Sequence, residues 1–264
     1  MGQTDDTGLL GLTMDENGRT EEIMTQAKRV SADEGWVWYA GGWKLFVRNP
    51  GIQLVYLLII LLIAVGLALI PFIGALVLGL ITPVLAGGWF YALHELDLGR
   101  DIGIESLFEG FRRRDWAGPL MMLGVLMLAA EFLIGVVGVA TMGNSVLEYM
   151  GTMDAGAVAA VPGVGVLIGL AIILVSSTLL LMALFYAVPL IQFHAAGPLA
   201  AMQSSVSASW RNIGAMTVFG LVYLVLAFVA AIPFGLGFLV LVPVSVAAAF
   251  RSYQSVYGIV STDQ

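Results

Sequence analysis

Six long apolar runs divide the chain, and the stretches between them alternate between polar and apolar joints. The runs are Ile52–Ile70, Phe72–Leu96, Ala117–Thr141, about Pro162–Ala187, about Ile213–Ile232 and about Phe234–Tyr257. Each approaches or exceeds the ~20 residues that a helix needs to cross a bilayer, so each predicts a transmembrane helix. Two joints repeat: Ile70-Pro71-Phe72 returns as Ile232-Pro233-Phe234, and a second proline, Pro83 or Pro243, follows inside the next run. Proline removes a backbone donor, so a kink is expected at Pro83, with Thr82 placed to help satisfy the helix carbonyls. Pro189 is expected to end the fourth run. Pro71 and Pro233 mark hairpin turns.

The polar stretches on the other side carry amphipathic patterns. Over Gly35–Pro50, the aromatics Trp36, Trp38, Tyr39, Trp43 and Phe46 are interleaved with Lys44 and Arg48, as suits an element lying at headgroup level. Over Ile102–Phe111, Ile104, Leu107, Phe108 and Phe111 recur at helical spacing before Arg112-Arg113-Arg114. Gly197–Asn212 repeats the pattern with Leu199, Met202, Val206 and Trp210 as expected apolar contacts. The opposite connections lie at Pro71, at a Gly- and Ala-rich loop expected over Met142–Val161, and at Pro233. The predicted fold is therefore all-α: a polytopic membrane protein of six transmembrane helices. They form three hairpin repeats (about 35–98, 101–195 and 197–258), each preceded by an amphipathic cytoplasmic-surface helix. The membrane domain is expected over 35–260. Residues 1–34 read as an acidic, disordered tail with a short helix around Thr20–Arg29.

Composition and charge extend this picture. The chain is 59% apolar and 11% charged, with a mean hydropathy of +0.96, outside the range of soluble domains. Among lipids, packing of small residues and interhelical hydrogen bonds must hold helices together, and the 32 glycines fit that demand. The absence of cysteine excludes disulfides, thiolate metal sites and cysteine nucleophiles. The net charge of −7 owes much to eight acidic residues within the first 34, and no basic patch of the kind that grips nucleic acid is present. All 11 Lys and Arg fall on one side of the runs: Arg19 to Arg48, Arg100 to Arg114 and Arg211 in polar stretches, and Arg251 toward the end of the sixth run. By the positive-inside rule both termini are cytoplasmic.

Candidate chemistry is sparse. Glu131 stands inside the third run, where a carboxylate costs on the order of 3 kcal/mol on insertion scales. It can be read as a proton or cation relay. The plainer assignment is a carboxylic acid hydrogen-bonded to Ser176-Ser177-Thr178 of the fourth run, because a relay would bring further intramembrane acids or histidines. His94, Glu95, Asp97 and His194 fall at the exits of the second and fourth runs. They can be drawn as a metal site, but without an i, i+4 histidine pair they read as polar helix ends, and neither a metal nor a cofactor is expected. No nucleophile elbow or H-E-x-x-H motif appears, so the chain is not expected to be an enzyme. Lys44, Arg48, Arg112, Arg113, Arg114, Trp116 and Arg211 are candidate lipid headgroup contacts, at about 1 kcal/mol per basic residue on an anionic surface.

Gly35-Trp36-Val37-Trp38, Leu45-Phe46-Val47-Arg48-Asn49-Pro50, Thr82-Pro83-Val84-Leu85-Ala86-Gly87-Gly88 and Ile232-Pro233-Phe234-Gly235-Leu236-Gly237 together carry a resemblance. Over about residues 28–258, the chain resembles a family of six-helix inner-membrane proteins, found mainly in proteobacteria, for which no activity is established. The resemblance implies a bacterial cytoplasmic membrane and leaves the acidic tail outside. The function expected is a non-enzymatic scaffold or accessory subunit with a membrane-protein partner, acting through helix and lipid contacts. The alternative is a carrier or channel for a small or amphiphilic solute, with Glu131 in its pathway.

Overall fold

The computed structural model describes residues 27–153 and 164–258, with side chains of the last turns before 154 left out of the description. A short helix, α1 (Glu34–Phe46), precedes the hairpin of α2 (Pro50–Ala68) and α3 (Ile73–Asp97). A 3-10 turn (Ile104–Phe108) and the single turn α4 (Glu109–Arg112) lead to α5 (Arg114–Met153) and α6 (Val164–Phe185). The chain continues through α7 (Ala187–His194), α8 (Pro198–Arg211), α9 (Ile213–Ala231) and α10 (Phe238–Tyr257). No strand occurs among the described residues, and among them six helical segments are long and apolar enough to cross a membrane: Pro50–Ala68, Ile73–Asp97, Arg114–Gly143, Val164–His194, Ile213–Ala231 and Phe238–Tyr257.

Local chemistry sets the boundaries. Pro50 opens α2, where its missing donor costs nothing, and the Asn49 side chain accepts the Ile52 N–H at 3.3 Å. The two Ile-Pro-Phe joints share an uncommon conformation: Phe72 and Phe234 both take positive φ, 63° and 52°, and both rings are exposed. α3 runs on through Pro83 with Thr82 Oγ1 donating to the Leu78 carbonyl at 2.7 Å, and the Gly79 carbonyl that Pro83 leaves without a donor faces Gly124 of α5.

Several expectations are corrected. The connection expected as a loop over Met142–Val161 is helical as far as Met153, and no proline occurs between Pro119 and Pro162 to interrupt α5; residues 154–163 lie outside the described residues. Pro189 does not end the fourth span but sits within α7, and the break falls three residues earlier at Tyr186. The stretch Ile102–Phe111 is not one amphipathic helix: it is a 3-10 turn followed by α4. Ordered contacts begin before residue 35, since the strap 27–32 is hydrogen-bonded to the C-terminal ends of α8 and α10. Lys28 N–H donates to the Val256 carbonyl at 2.7 Å, Val30 N–H to Asn212 Oδ1 at 2.8 Å, and Arg211 Nη1 to the Ala27 carbonyl at 2.9 Å. Ala27–Arg29 are not helical, and the rest of the short helix expected around Thr20–Arg29 lies outside the described residues.

α1 and α8 are built into the bundle. α1 runs antiparallel along α10: Ser255 Oγ donates to Glu34 at 3.5 Å, and Gly42 lies against the Ala248 backbone. Trp38, Tyr39, Leu45 and Phe46 are buried, while Trp36 and Trp43 face outward. Burial raises the Tyr39 phenol above its usual range despite its 3.4 Å hydrogen bond with Ser245. In α8 the buried face is Ala201, Ser204, Ser205, Ala208 and Ser209, whereas Leu199 and Trp210, expected as apolar contacts, point outward. In lipid there is little gain in hiding leucine, and small residues let helices approach closely.

Each short element packs on the second helix of the hairpin before it: the 3-10 turn and α4 on α3, α8 on α6, and α1, closing the circle, on α10. The second helices meet at this capped end of the bundle, where His94, Phe193, Phe250 and Tyr253 form a run of ring contacts. Away from the cap, α5 and α6 stay in contact through Gly138 on Ile173 and Gly169 on Met142, but much of the helix surface is uncovered. Half of each of the second and sixth spans is buried, against only 6% of the fourth and 11% of the fifth.

Candidate functional site

The capped end holds a network of polar side chains directed inward. Its centre is the break between α6 and α7. There the Met182 carbonyl, which would accept the Tyr186 N–H in a continuous helix, accepts Ser205 Oγ at 2.6 Å, and Tyr186 N–H donates to the same Ser205 oxygen at 2.9 Å. One serine on α8 thus satisfies both groups released by the break, as membrane helices require. Around it, Tyr186 Oη and Ser252 Oγ share a 2.6 Å bond, and Ser204 Oγ and Tyr257 Oη a 3.0 Å bond. Gln192 Nε2 donates to the Gly87 carbonyl at 2.9 Å, tying α7 to α3.

An ionic clasp lies at the exits of α3 and α10. Arg251 reaches both Asp97 oxygens at 2.7 Å, Gln254 Nε2 donates to Asp97 Oδ2 at 2.8 Å, and Arg48 Nη1 stands 3.6 Å from Asp97 Oδ1. His194 Nδ1 pairs with Tyr253 Oη at 2.8 Å, and Glu95 pairs with Arg100 at 3.2 Å. The residues drawn as a metal site are thus distributed among separate protein partners, and no group of three metal-ligating side chains converges among the described residues. The chemistry this network supports is interhelical bonding.

The basic residues singled out as headgroup contacts fall into two groups. Arg112 pairs with Glu109 at 2.8 Å, and Arg113 stacks over Tyr91 and Trp116, 4.9 and 4.3 Å from the ring centres. Arg48 and Arg211 are likewise engaged within the chain. Lys44 and Arg114 are exposed. Of the arginine triplet, Arg113 thus ties the start of α5 to Tyr91 of α3, Arg112 pairs within its own turn, and all three side chains remain partly exposed.

Glu131 lies close to the middle of the Arg114–Gly143 span, on the outward side of the α5–α6 pair. It lines a lateral cleft of about 340 Å³ with Ile134, Gly135, Ile173, Ser177, Leu180, Leu181 and Leu184. The structure brings Ser177 into the cleft with Glu131, whereas Thr178 donates to the Leu174 carbonyl of its own helix at 2.8 Å. Ser176 is half-buried and does not line the cleft. What the sequence did not single out is the capped-end network: Gln53, Gln192, Ser204, Ser205, Ser209 and Ser252 are all buried. The Ala/Ser spacing over 201–209 was its one visible signal.

No family model matches the chain, and no solved structure matches it. It is similar to a protein of Burkholderia thailandensis described as a probable inner membrane protein, with 29% identity over 250 residues that span 88% of this chain and 92% of that protein. With six apolar helices and a relative of this kind, the chain is a multi-pass inner-membrane protein, consistent with the six-helix inner-membrane family that its motifs resemble.

Proposed function

We propose that the protein is a non-enzymatic scaffold or accessory subunit that works through helix and lipid contacts. The observation that carries this reading is the contrast between the two ends of the bundle. At the cap, Tyr186, Ser205, Ser252, Asp97 and Arg251 are bonded within the chain, while the fourth and fifth spans leave most of their apolar surface free of other parts of the chain. Spans that leave so much apolar surface uncovered offer docking faces to other membrane helices and to lipid. Native mass spectrometry of the protein extracted gently from its own membrane should show a stoichiometric protein partner. A homogeneous monomer with no partner would sink the proposal.

In this reading the capped end, with Lys44 and Arg114 outward, faces the cytoplasm and anionic lipid, and both termini are cytoplasmic. The chain has no cysteine, so single introduced cysteines report without background. Phe72→Cys and Phe234→Cys, both at exposed hairpin joints, should react with a membrane-impermeant maleimide from the periplasmic side. Gln203→Cys should react only after permeabilisation. The opposite labelling pattern would invert the topology.

A second reading, a carrier for an amphiphilic solute, draws on the Glu131 cleft. Solute uptake by proteoliposomes that falls with Glu131→Gln would favour it over the scaffold.

A further inference from the structure

We infer that the lateral cleft between α5 and α6 binds a single-tailed amphiphile with a protonated amine, whose ammonium sits on the Glu131 carboxylate and whose tail lies along the apolar walls. This goes beyond the scaffold reading and stands on separate observations.

The first observation is the cleft itself. Its volume, about 340 Å³, falls in the range of small-ligand sites, and its lining combines apolar side chains with few polar ones. The second is the chemistry of those few. Glu131 and Ser177 contribute the polar side chains, one from each helix, and Glu131 makes no hydrogen bond or ion pair with any described residue. The capped end presents the opposite case, since its acid, Asp97, is held by Arg251 and Gln254. A carboxylate among lipid tails is stabilised by a cation or a hydrogen-bond donor, and an ammonium supplies both, leaving hydrogens for the Ser177 hydroxyl.

The third observation is access. The cleft opens sideways on the outward face of the hairpin, where Phe132, Leu133 and Leu181 are exposed. A ligand already dissolved in the bilayer can enter laterally with its tail remaining in an apolar medium. Gly135 lines the cleft, and a β-carbon built there would stand in open space with nothing within 4 Å. An anionic or zwitterionic headgroup is disfavoured by the carboxylate, and a neutral alcohol would lack the ionic contact. The size of the cleft favours a small amphiphile over a packed helix.

The test uses the full chain in phosphatidylcholine nanodiscs, with radiolabelled dodecylammonium as the probe, dodecanol as its neutral counterpart, and empty nanodiscs for background. The expected result is saturable binding of one dodecylammonium per protein, at least about 10-fold tighter than dodecanol. Glu131→Gln should abolish that preference while dodecanol binding persists. Gly135→Leu, which extends into open space and leaves the helix intact, should remove both. Equal binding to wild type and Glu131→Gln, or no saturable binding above empty nanodiscs, would overturn the assignment. So would Glu131-dependent binding of a leucine-rich transmembrane peptide with one central lysine in place of dodecylammonium, because the cleft would then be a helix interface.

Discussion

Gly88→Val should prevent the protein from assembling its capped end and cost on the order of 3 kcal/mol or more. A β-carbon at Gly88 falls on the carbonyl oxygen of Leu107, and Leu107 is fully buried in the 3-10 turn that lies across α3. The obstacle is backbone, so no rotamer change can make room. The turn would have to lift, and with it would go the 2.6 Å bond from Tyr56 Oη to the Gly103 carbonyl. A graded series separates this clash from a general intolerance of larger side chains. At Gly79 the new carbon meets the Leu128 side chain, which can swing aside, so Gly79→Ala should cost about 1 kcal/mol. At Gly220 nothing lies within 4 Å, and Gly220→Val should change stability by no more than about 0.5 kcal/mol. Size-exclusion profiles and thermal unfolding in detergent would rank the three. If Gly88→Val behaved like Gly220→Val, the 3-10 turn would not pack on α3 as described.

The spans were legible because lipid imposes a simple rule: each crossing must be a long apolar helix, and the runs of apolar residues mark where each lies. The Ile-Pro-Phe repeat was legible for a local reason, since its two copies adopt the same turn with a phenylalanine at positive φ. What hydrophobicity could not deliver was the facing of the short elements. In water, Leu199 and Trp210 would mark the buried side of α8; in a bilayer that inference inverts, and the serines go inside because they can bond to the broken helix at Met182 and Tyr186. The break itself was hidden for a related reason. Pro189 signals an interruption, but the residue that loses its helical bond depends on where Ser205 arrives from another part of the chain.

At the candidate site the sequence located Glu131 and its serine neighbours, because a carboxylate in an apolar run is conspicuous at any depth. Periodicity alone could not show that Ser177 faces the cleft while Ser176 does not, or that Glu131 faces outward and not toward the other hairpins. The triplet Arg112-Arg113-Arg114 likewise did not show its contacts within the chain: Glu109 pairs with Arg112 and Arg113, and Arg113 stacks over Tyr91 and Trp116.

Asp97→Ala should destabilise the protein by about 2–3 kcal/mol, less than the 3–5 of a fully buried pair because both partners keep some solvent. The Asp97 and Arg251 side chains are 20% and 24% exposed, so removing the carboxylate strands a guanidinium that is mostly out of water, with Gln254 Oε1 at 2.7 Å as its remaining partner. The loss is also topological. Asp97 ends α3, Arg251 lies on α10 and Arg48 precedes α2, so one carboxylate fastens the first hairpin to the last at the point where α1 closes the circle. The Glu95–Arg100 pair is the internal control: its arginine is 57% exposed, so Glu95→Ala should cost little, and raised salt should erase that cost. Thermal unfolding of Asp97→Ala, Arg251→Met and the double variant completes a cycle. The double variant should recover part of the loss, since the half-exposed Arg48 is then the one member of the clasp left without its carboxylate, and a coupling of at least about 1 kcal/mol is expected. If the two single losses simply added, Asp97 and Arg251 would be stabilising the cap independently, and the ring of hairpins would owe its closure to the packing of Gly42 on Ala248 instead.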